Sequence, residues 1–244
     1  MNPQAPPPFR ARLDEAAELI GRGLDGVSVR RLLRLCEAPM PSDEVLDHLR
    51  LYSETLPKGR EPGFTPEQRY LHAVWDLFDR GPASISVNFS IPFRRLLAAR
   101  LFARCGAAFV CEEQVRFNFG QFITAGQNVF FNRGVYLDSK GGITLGDDVA
   151  LAEDVRIFTH GHSEASHMER TYQPVTIGSR AKVYAGATIL PGVTIGEEAI
   201  VGSGSIVSHD VPAGMVAVGV PAKVVRERRT EGRHGDDLDH LWLF

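Results

Sequence analysis

Hydrophobic and polar positions follow two different rhythms along this 244-residue chain. Up to about residue 104, apolar side chains recur at helical spacing. Ala11 to Ile20 and Val29 to Cys36 each carry such a stripe. Ser42 precedes the run DEVLDHLRLY, a capping residue followed by acids in the first turn. Thr65-Pro66-Glu67 opens a stronger helix, because Thr65 can cap and Pro66 suits the first helical position. Its stripe is Tyr70, Leu71, Val74, Trp75 and Phe78, and Gly81-Pro82 stops it. A last helical run, Pro92 to Arg104, ends at Gly106.

Beyond about residue 115 a period of six takes over. Reading every sixth residue gives Phe119, Ala125, Phe131 and Leu137, then, after an offset of two at Gly141-Gly142, Leu145, Leu151 and Ile157. The series breaks over Phe158 to Pro174 and returns as Ile177, Val183, Ile189, Ile195, Val201 and Val207. A second series runs two residues ahead through Ile123, Val129, Val135, Val149, Val155, Val175, Ala181, Ala187, Val193 and Ala199. Such a period marks a repeat architecture. In a three-sided coil each side is a short strand with an aliphatic residue pointing at the axis. Each corner is a tight turn, and coils of about 18 residues stack at strand spacing. Gly126, Gly146, Gly178, Gly196 and Gly202 follow the aliphatic position, as crowded corners require. The pattern predicts a mainly-β chain: an α-helical region over 1–112, a parallel β-helix over 113–226 and a tail over 227–244. The helices are expected to cover one open end of the solenoid, whose edge strands would otherwise be exposed. The charged stretch Glu227 to Asp239 reads as mobile, and the terminal LWLF, residues 241–244, is apolar enough to dock.

Composition narrows the function classes. A formal net charge of −3 lacks the basic excess of a nucleic-acid binder. No apolar run reaches the roughly 20 residues that span a bilayer, and no signal peptide opens the chain, so it reads as soluble and cytoplasmic. Cys36, Cys105 and Cys111 form no CxxC pair and read as reduced, mostly buried thiols.

Candidate chemistry gathers where the repeat breaks, at Thr159-His160-Gly161-His162. A loop leaving a rigid solenoid is a common place for function, although a lone loop histidine often has none. The stretches VRFNFGQFITAGQNVFFNRGVYLD, FTHGHS, PVTIGSRAKVYAGATILPGVTIG and IVGSGSIVSHDVPAGMVAVGVPAKVVRE resemble, in order, the hexapeptide-repeat acyltransferases. The galactoside and maltose O-acetyltransferase branch is the most similar. The first 90 residues do not look like that branch.

That resemblance implies a left-handed parallel β-helix, a homotrimer with sites between neighbouring subunits, and transfer of an acetyl group from acetyl-CoA to a small hydroxylated, sugar-like acceptor. No metal is required, and neither nucleic acid nor membrane is a partner. It places the general base at His162, with His160 as the fallback. A histidine suits that task because a hydroxyl is a poor nucleophile whereas a thioester is already activated. No covalent serine is required, and no G-x-S-x-G elbow is present. Asn132 and Asp138 become acceptor-binding residues, Asp138 alternatively an orienter of the base; both residue types also suit tight turns without any function. Coenzyme A contacts fall on Tyr184, Ala185, Gly186, Ala187, Gly202, Ser203, Ser208, His209, Lys223 and Arg226. Tyr184 stands where the family commonly has tryptophan, and an oxyanion donor falls near Ala187.

Rival readings stay open. An amine acceptor would make the chain an N-acetyltransferase acting on an amino sugar, a sugar nucleotide or an antibiotic. Arg94, Arg95, Arg100 and Arg104 could meet an acceptor phosphate or simply form a solvated helix face. His162 and His167 have the spacing of a metal-dependent carbonic anhydrase class of the same fold, yet no third histidine lies between His72 and His160. A trimeric scaffold without chemistry is the remaining alternative.

Overall fold

The computed structural model describes residues 6–61 and 63–238, so the apolar LWLF terminus lies outside the described residues. The described residues divide into two compact units, one up to residue 101 and one from residue 102 onward. The first contains helices α1 (Pro7–Arg22), α2 (Gly26–Leu35), α3 (Asp43–Asp47), α4 (Pro57–Arg60), α5 (Pro66–Phe78) and α6 (Val87–Leu101). Their starts follow local chemistry. Asp25 caps α2 by accepting from Ser28 N–H at 2.7 Å, while Ser28 Oγ accepts from Asp25 N–H at 2.7 Å. Thr65 and Gln68 form the same reciprocal box at α5, at 3.1 and 2.8 Å.

Two helices differ from expectation. The run after Ser42 yields only five helical residues, because the chain turns into a 3₁₀ segment at Tyr52–Thr55 and Glu54 takes the Leu51 N–H. Helix α6 begins upstream of Pro92 and keeps it inside. There Phe89 and Phe93 pack on Phe78, with ring centroids 6.1 and 4.7 Å away, and that burial offsets the lost backbone bond. Nor is Arg94 a solvated residue. It is 2% exposed, pairs with Asp79 and lies over the Phe78 ring at 4.8 Å. Cys36 is buried in this unit, which pushes its thiol pKa up to about 12.

The second unit is a parallel β-solenoid of the left-handed β-helix type, with three faces of short strands. Face A stacks Arg104–Cys105, Ile123–Ala125, Ile143–Leu145, Val175–Ile177 and Thr194–Ile195. Face B stacks Val110–Cys111, Phe130–Phe131, Ala150–Leu151, Lys182–Val183, Ile200–Val201 and Met215–Gly219, and Ala222–Glu227 folds back antiparallel on the last of these. Face C stacks Arg116–Phe117, Tyr136–Asp138, Arg156–Phe158, Thr188–Ile189 and Ile206–Val207. Inward residues form continuous columns. On face B these are Phe131, Leu151, Val183, Val201 and Ala217, each less than 2% exposed.

Coil length is not constant. Ile123 pairs with Ile143, twenty positions on, whereas Thr176 pairs with Thr194, eighteen on. The first coil begins at Arg104, upstream of residue 113. The offset seen at Gly141-Gly142 also has a counterpart one coil earlier. Phe117, not Phe119, pairs with Leu137. Phe119 sits in the turn from face C to face A, where its N–H and C=O both bond Ser139 Oγ, at 3.0 and 2.9 Å. Its place in the six-residue series is therefore a coincidence of two extra residues between the inward Phe117 and Ala125, taken up by the 3₁₀ turn Gly120–Phe122.

The segment read as a mobile tail is fastened up to residue 238. Arg228 N–H donates to Gly214 O at 2.7 Å, and its guanidinium donates to the carbonyls of Arg180 and Glu198. Glu198 accepts from Gly235 N–H at 2.7 Å and faces His234 at 3.0 Å. Those contacts, the His234 hydrogen bond first, hold the Glu198 carboxyl below its ordinary pKa.

Close stacking makes one corner intolerant of any side chain. A Cβ on Gly178 would lie 2.5 Å from Glu197 N, and one on Gly146 would lie 2.6 Å from Ser179 N. Gly178→Ala is expected to cost about 1–3 kcal/mol through overpacking. Chemical denaturation would read this as a lower midpoint with an unchanged slope; an unaltered midpoint would show that the coils can spread.

Candidate active site

A hairpin interrupts the solenoid where face C turns to face A. Its strands, His160–His162 and Arg170–Tyr172, pair antiparallel, with His160 opposite Tyr172 and His162 opposite Arg170. Thr159 anchors its base. The buried Thr159 hydroxyl accepts from Gly141 N–H at 2.7 Å and donates to Asp138 O at 2.5 Å, while Gln173 N–H donates to Thr159 O at 2.9 Å. Strand alternation puts residues 160 and 162 on the same side, and the two imidazoles meet at 5.2 Å, nearly edge to face.

His162 is exposed, yet its ring is fixed. It stacks on His167 at 4.0 Å, with an interplanar angle of 2°, and its Nδ1 lies 2.9 Å from His167 O. A carbonyl can only accept, so Nδ1 carries the proton in that bond and Nε2 of the neutral ring keeps its lone pair. The stack also bears on a metal. Nitrogen lone pairs lie in the ring planes, so parallel rings do not aim them at one point between. Among the described residues, no group of three His, Cys, Asp or Glu could hold an ion.

Beneath His160 lies a buried polar cluster from three elements. Asp138 is 1% exposed. Its Oδ1 accepts from Asn118 Nδ2 at 3.0 Å, its Oδ2 meets His160 Nδ1, and Lys140 Nζ lies 3.2 Å from Oδ1 and 3.3 Å from Oδ2. The ammonium is also 3.2 Å from His160 Nδ1 and 3.3 Å from Nε2. Near-equal distances to two nitrogens whose lone pairs diverge place it over the ring instead of in its plane. Burial is the largest cause lowering the His160 pKa; Asp138 opposes it and the Lys140 charge adds to it. Asp138 is thus buried with both oxygens engaged inside the cluster, its Oδ2 on His160.

The remaining sequence candidates fall into separate groups. Asn132 ends a face B strand, and its Oδ1 accepts from Arg133 N–H at 2.8 Å. With Phe130, Ala150, Ala152, Lys182 and Tyr184 it lines a recess of about 190 Å³. Register sets Tyr184 beside Gly202 and Ala185 beside Ser203, in the turn from face B to face C. Gly186 adopts φ 69° there, while Ala187 is buried and its N–H makes a 3.2 Å turn bond to Tyr184 O. A Cβ on Gly202 would lie 2.6 Å from Val218 Cγ1, so the Val218 side chain covers that position, whereas a Cβ on Gly204 would meet nothing within 4 Å. Ser208 and His209 end the last face C strand, hydrogen-bonded to each other at 3.0 Å. Exposed Lys223 and Arg226 sit opposite Val218 and Val216 in the closing hairpin. One chain thus keeps Asn132 and Tyr184 at one edge of face C and the histidine hairpin at the other. Sequence reasoning passed over Asn118 and Lys140; the signal was available for Lys140, a charge inside the DSKGG interruption of an apolar repeat.

Known proteins share this architecture. The family model described as bacterial transferase hexapeptide (six repeats) matches residues 174–209. Galactoside O-acetyltransferase of Escherichia coli K12 is 33% identical over 145 residues, 58% of this chain and 71% of that protein. A solved galactoside acetyltransferase in complex with coenzyme A superposes with a TM-score of 0.61 at 27% identity, covering 81% of this chain and 96% of that one. A maltose O-acetyltransferase from Clostridium difficile 630 gives 0.61 at 26%, covering 78% and 98%.

Replacing Lys140 with methionine removes a positive charge from the His160 ring at similar side-chain length. The His160 pKa is expected to rise, followed as an imidazole titration by NMR. An unmoved titration would mean that the ammonium is not felt at that ring.

Proposed function

The chain belongs to the hexapeptide-repeat acyltransferases, and from that membership we propose that it moves an acetyl group from acetyl-CoA to a hydroxyl of a small, sugar-like acceptor, with His162 as general base. It is a coenzyme A-dependent acetyltransferase by its relatedness to the galactoside enzymes. The observation that carries the base assignment is the His162 Nδ1 bond to a backbone carbonyl, which leaves Nε2 as the proton acceptor on an exposed face.

His162 Nε2 would take the acceptor's hydroxyl proton as the oxygen attacks the thioester carbon. The new C–O bond yields a tetrahedral oxyanion. Its collapse breaks the C–S bond, and the imidazolium returns its proton to the departing thiolate. The Ala187 N–H is the proposed oxyanion donor, its long turn bond leaving it weakly committed. The open backbone at Gly186 and Gly204 would let the pantetheine arm lie beside Tyr184, Ala185, Gly202 and Ser203. Ser208 and His209 add polar contacts, and Lys223 and Arg226 supply charge for the phosphates. Because Asn132 and Tyr184 lie across face C from His162, a complete site would pair one subunit's hairpin with the next subunit's face B edge, in a homotrimer. Asp138 serves by orienting His160, whose ring buttresses His162.

Release of free thiol from acetyl-CoA, measured with hydroxylated and amino-sugar acceptors, tests the assignment. His162→Ala should lower kcat by about 10² to 10⁴ with folding unchanged. Wild-type turnover in that variant, with loss in His160→Ala, would move the base to His160. Acetylation of amino sugars alone would remove the hydroxyl acceptor.

A further inference from the structure

Arginines in the helical unit are largely committed to carboxylates. Arg12, Arg30, Arg31, Arg94 and Arg100 meet Glu37, Asp43, Glu15, Asp79 and Glu67 respectively. Arg50 and Arg60 have no such partner among the described residues, and both line one cavity of about 520 Å³. A third arginine in its wall, Arg69, is held at 2.7 Å by Glu54. Glu54 is itself only 7% exposed and tied through its other oxygen to Leu51 N–H at 3.0 Å, so that guanidinium is pinned in place. The other acid at the wall, Asp47, faces Arg30 at 3.6 Å. Glu54 is thus answered by Arg69, while Asp47 shares Arg30 with the nearer Asp43. The wall itself holds three arginines against two carboxylates, a net positive charge, and His48 adds a further donor beside Arg50 and Arg60.

Excess like charge around a concavity is unfavourable when empty and becomes an anion site when filled. Guanidinium forks match phosphoryl oxygens in paired hydrogen bonds. The cavity is of ordinary small-ligand size and far larger than a bare phosphate ion. Its wall also includes buried Phe64, stacked on His72 at 5.3 Å, a rigid apolar surface for a ring or carbon skeleton. We propose that this cavity binds a phosphorylated small molecule, with its phosphoryl group between Arg50 and Arg60 and its body toward Phe64. The site lies wholly within the helical unit and does not rest on the acetyl-transfer reading.

Titration calorimetry on the full chain tests it, with glucose 1-phosphate and inorganic phosphate as probes. The titrations use about 50 mM salt, where screening is weak. Glucose 1-phosphate should bind saturably, one per chain, and more tightly than inorganic phosphate. The double variant Arg50→Gln/Arg60→Gln should weaken it at least about tenfold, with an unchanged thermal midpoint in the absence of probe. Because both side chains are exposed and carry no ion pair, folding is expected to survive; the single variant Arg60→Gln should show an intermediate loss. Arg34→Gln, at an exposed arginine outside the cavity, should leave the affinity alone. No saturable heat from either probe, equal affinity in the double variant, or an equal loss in Arg34→Gln would overturn the proposal. Inorganic phosphate binding as tightly as the sugar phosphate would overturn the role of the body and of Phe64.

Discussion

Each coil of the solenoid must hand its backbone hydrogen bonds to the next at strand spacing, and every other feature of the second unit follows from that demand. Phe130 N–H reaches Val149 O at 2.9 Å, and Ala150 N–H reaches Ala181 O at 3.1 Å, so the register of one coil dictates the next. Inward positions then stack on their own kind, and any side chain placed at the Gly146–Gly178–Gly196 corner collides with the following coil. The framework is stiff because the backbone bonds and the apolar column cannot be shifted separately.

Stiffness also decides where chemistry can live. Residues that cannot stack must leave at a corner, and the longest departure is the hairpin over 160–172. Its root is the most polar buried place in the solenoid, with Thr159, Asp138, Ser139 and Lys140 all below 9% exposure. The two extra residues at Gly141-Gly142 widen that corner enough to seat a lysine against a histidine. An imidazole held by a carbonyl on a short hairpin has little freedom to lose on meeting a ligand, which suits the base role proposed for His162. The geometry also explains why single-chain proximity is a poor guide here. Groups across one face are separated by the apolar column, so residues at its two edges do not meet within one chain.

The helical unit works by a different economy. Its aromatic cluster at Phe78, Phe89 and Phe93 meets a buried ion pair at Phe78, and several of its arginines are matched to acids. Against that background the cavity gathers three arginines and two carboxylates, a local positive charge in a chain whose net charge is −3.

Sequence alone determined the architecture, because hexad spacing of aliphatic residues is a direct image of the stacking rule. Capping residues such as Thr65 likewise announce a helix through purely local bonds. The sequence also located the histidine hairpin, since an interruption in a strict period is visible without coordinates. Tertiary structure alone decided what depends on residues far apart in the chain. Phe119 keeps the period yet lies in a turn, because an insertion of two residues can mimic an unbroken series. Lys140, Asn118 and His160 become one cluster only when coils twenty residues apart are stacked. The burial of Asp138 and its contact with His160 likewise appear only in three dimensions. Fastening of residues 228–238 was equally invisible, because a charged run looks solvated until Glu198 and the Arg180 carbonyl are placed beside it.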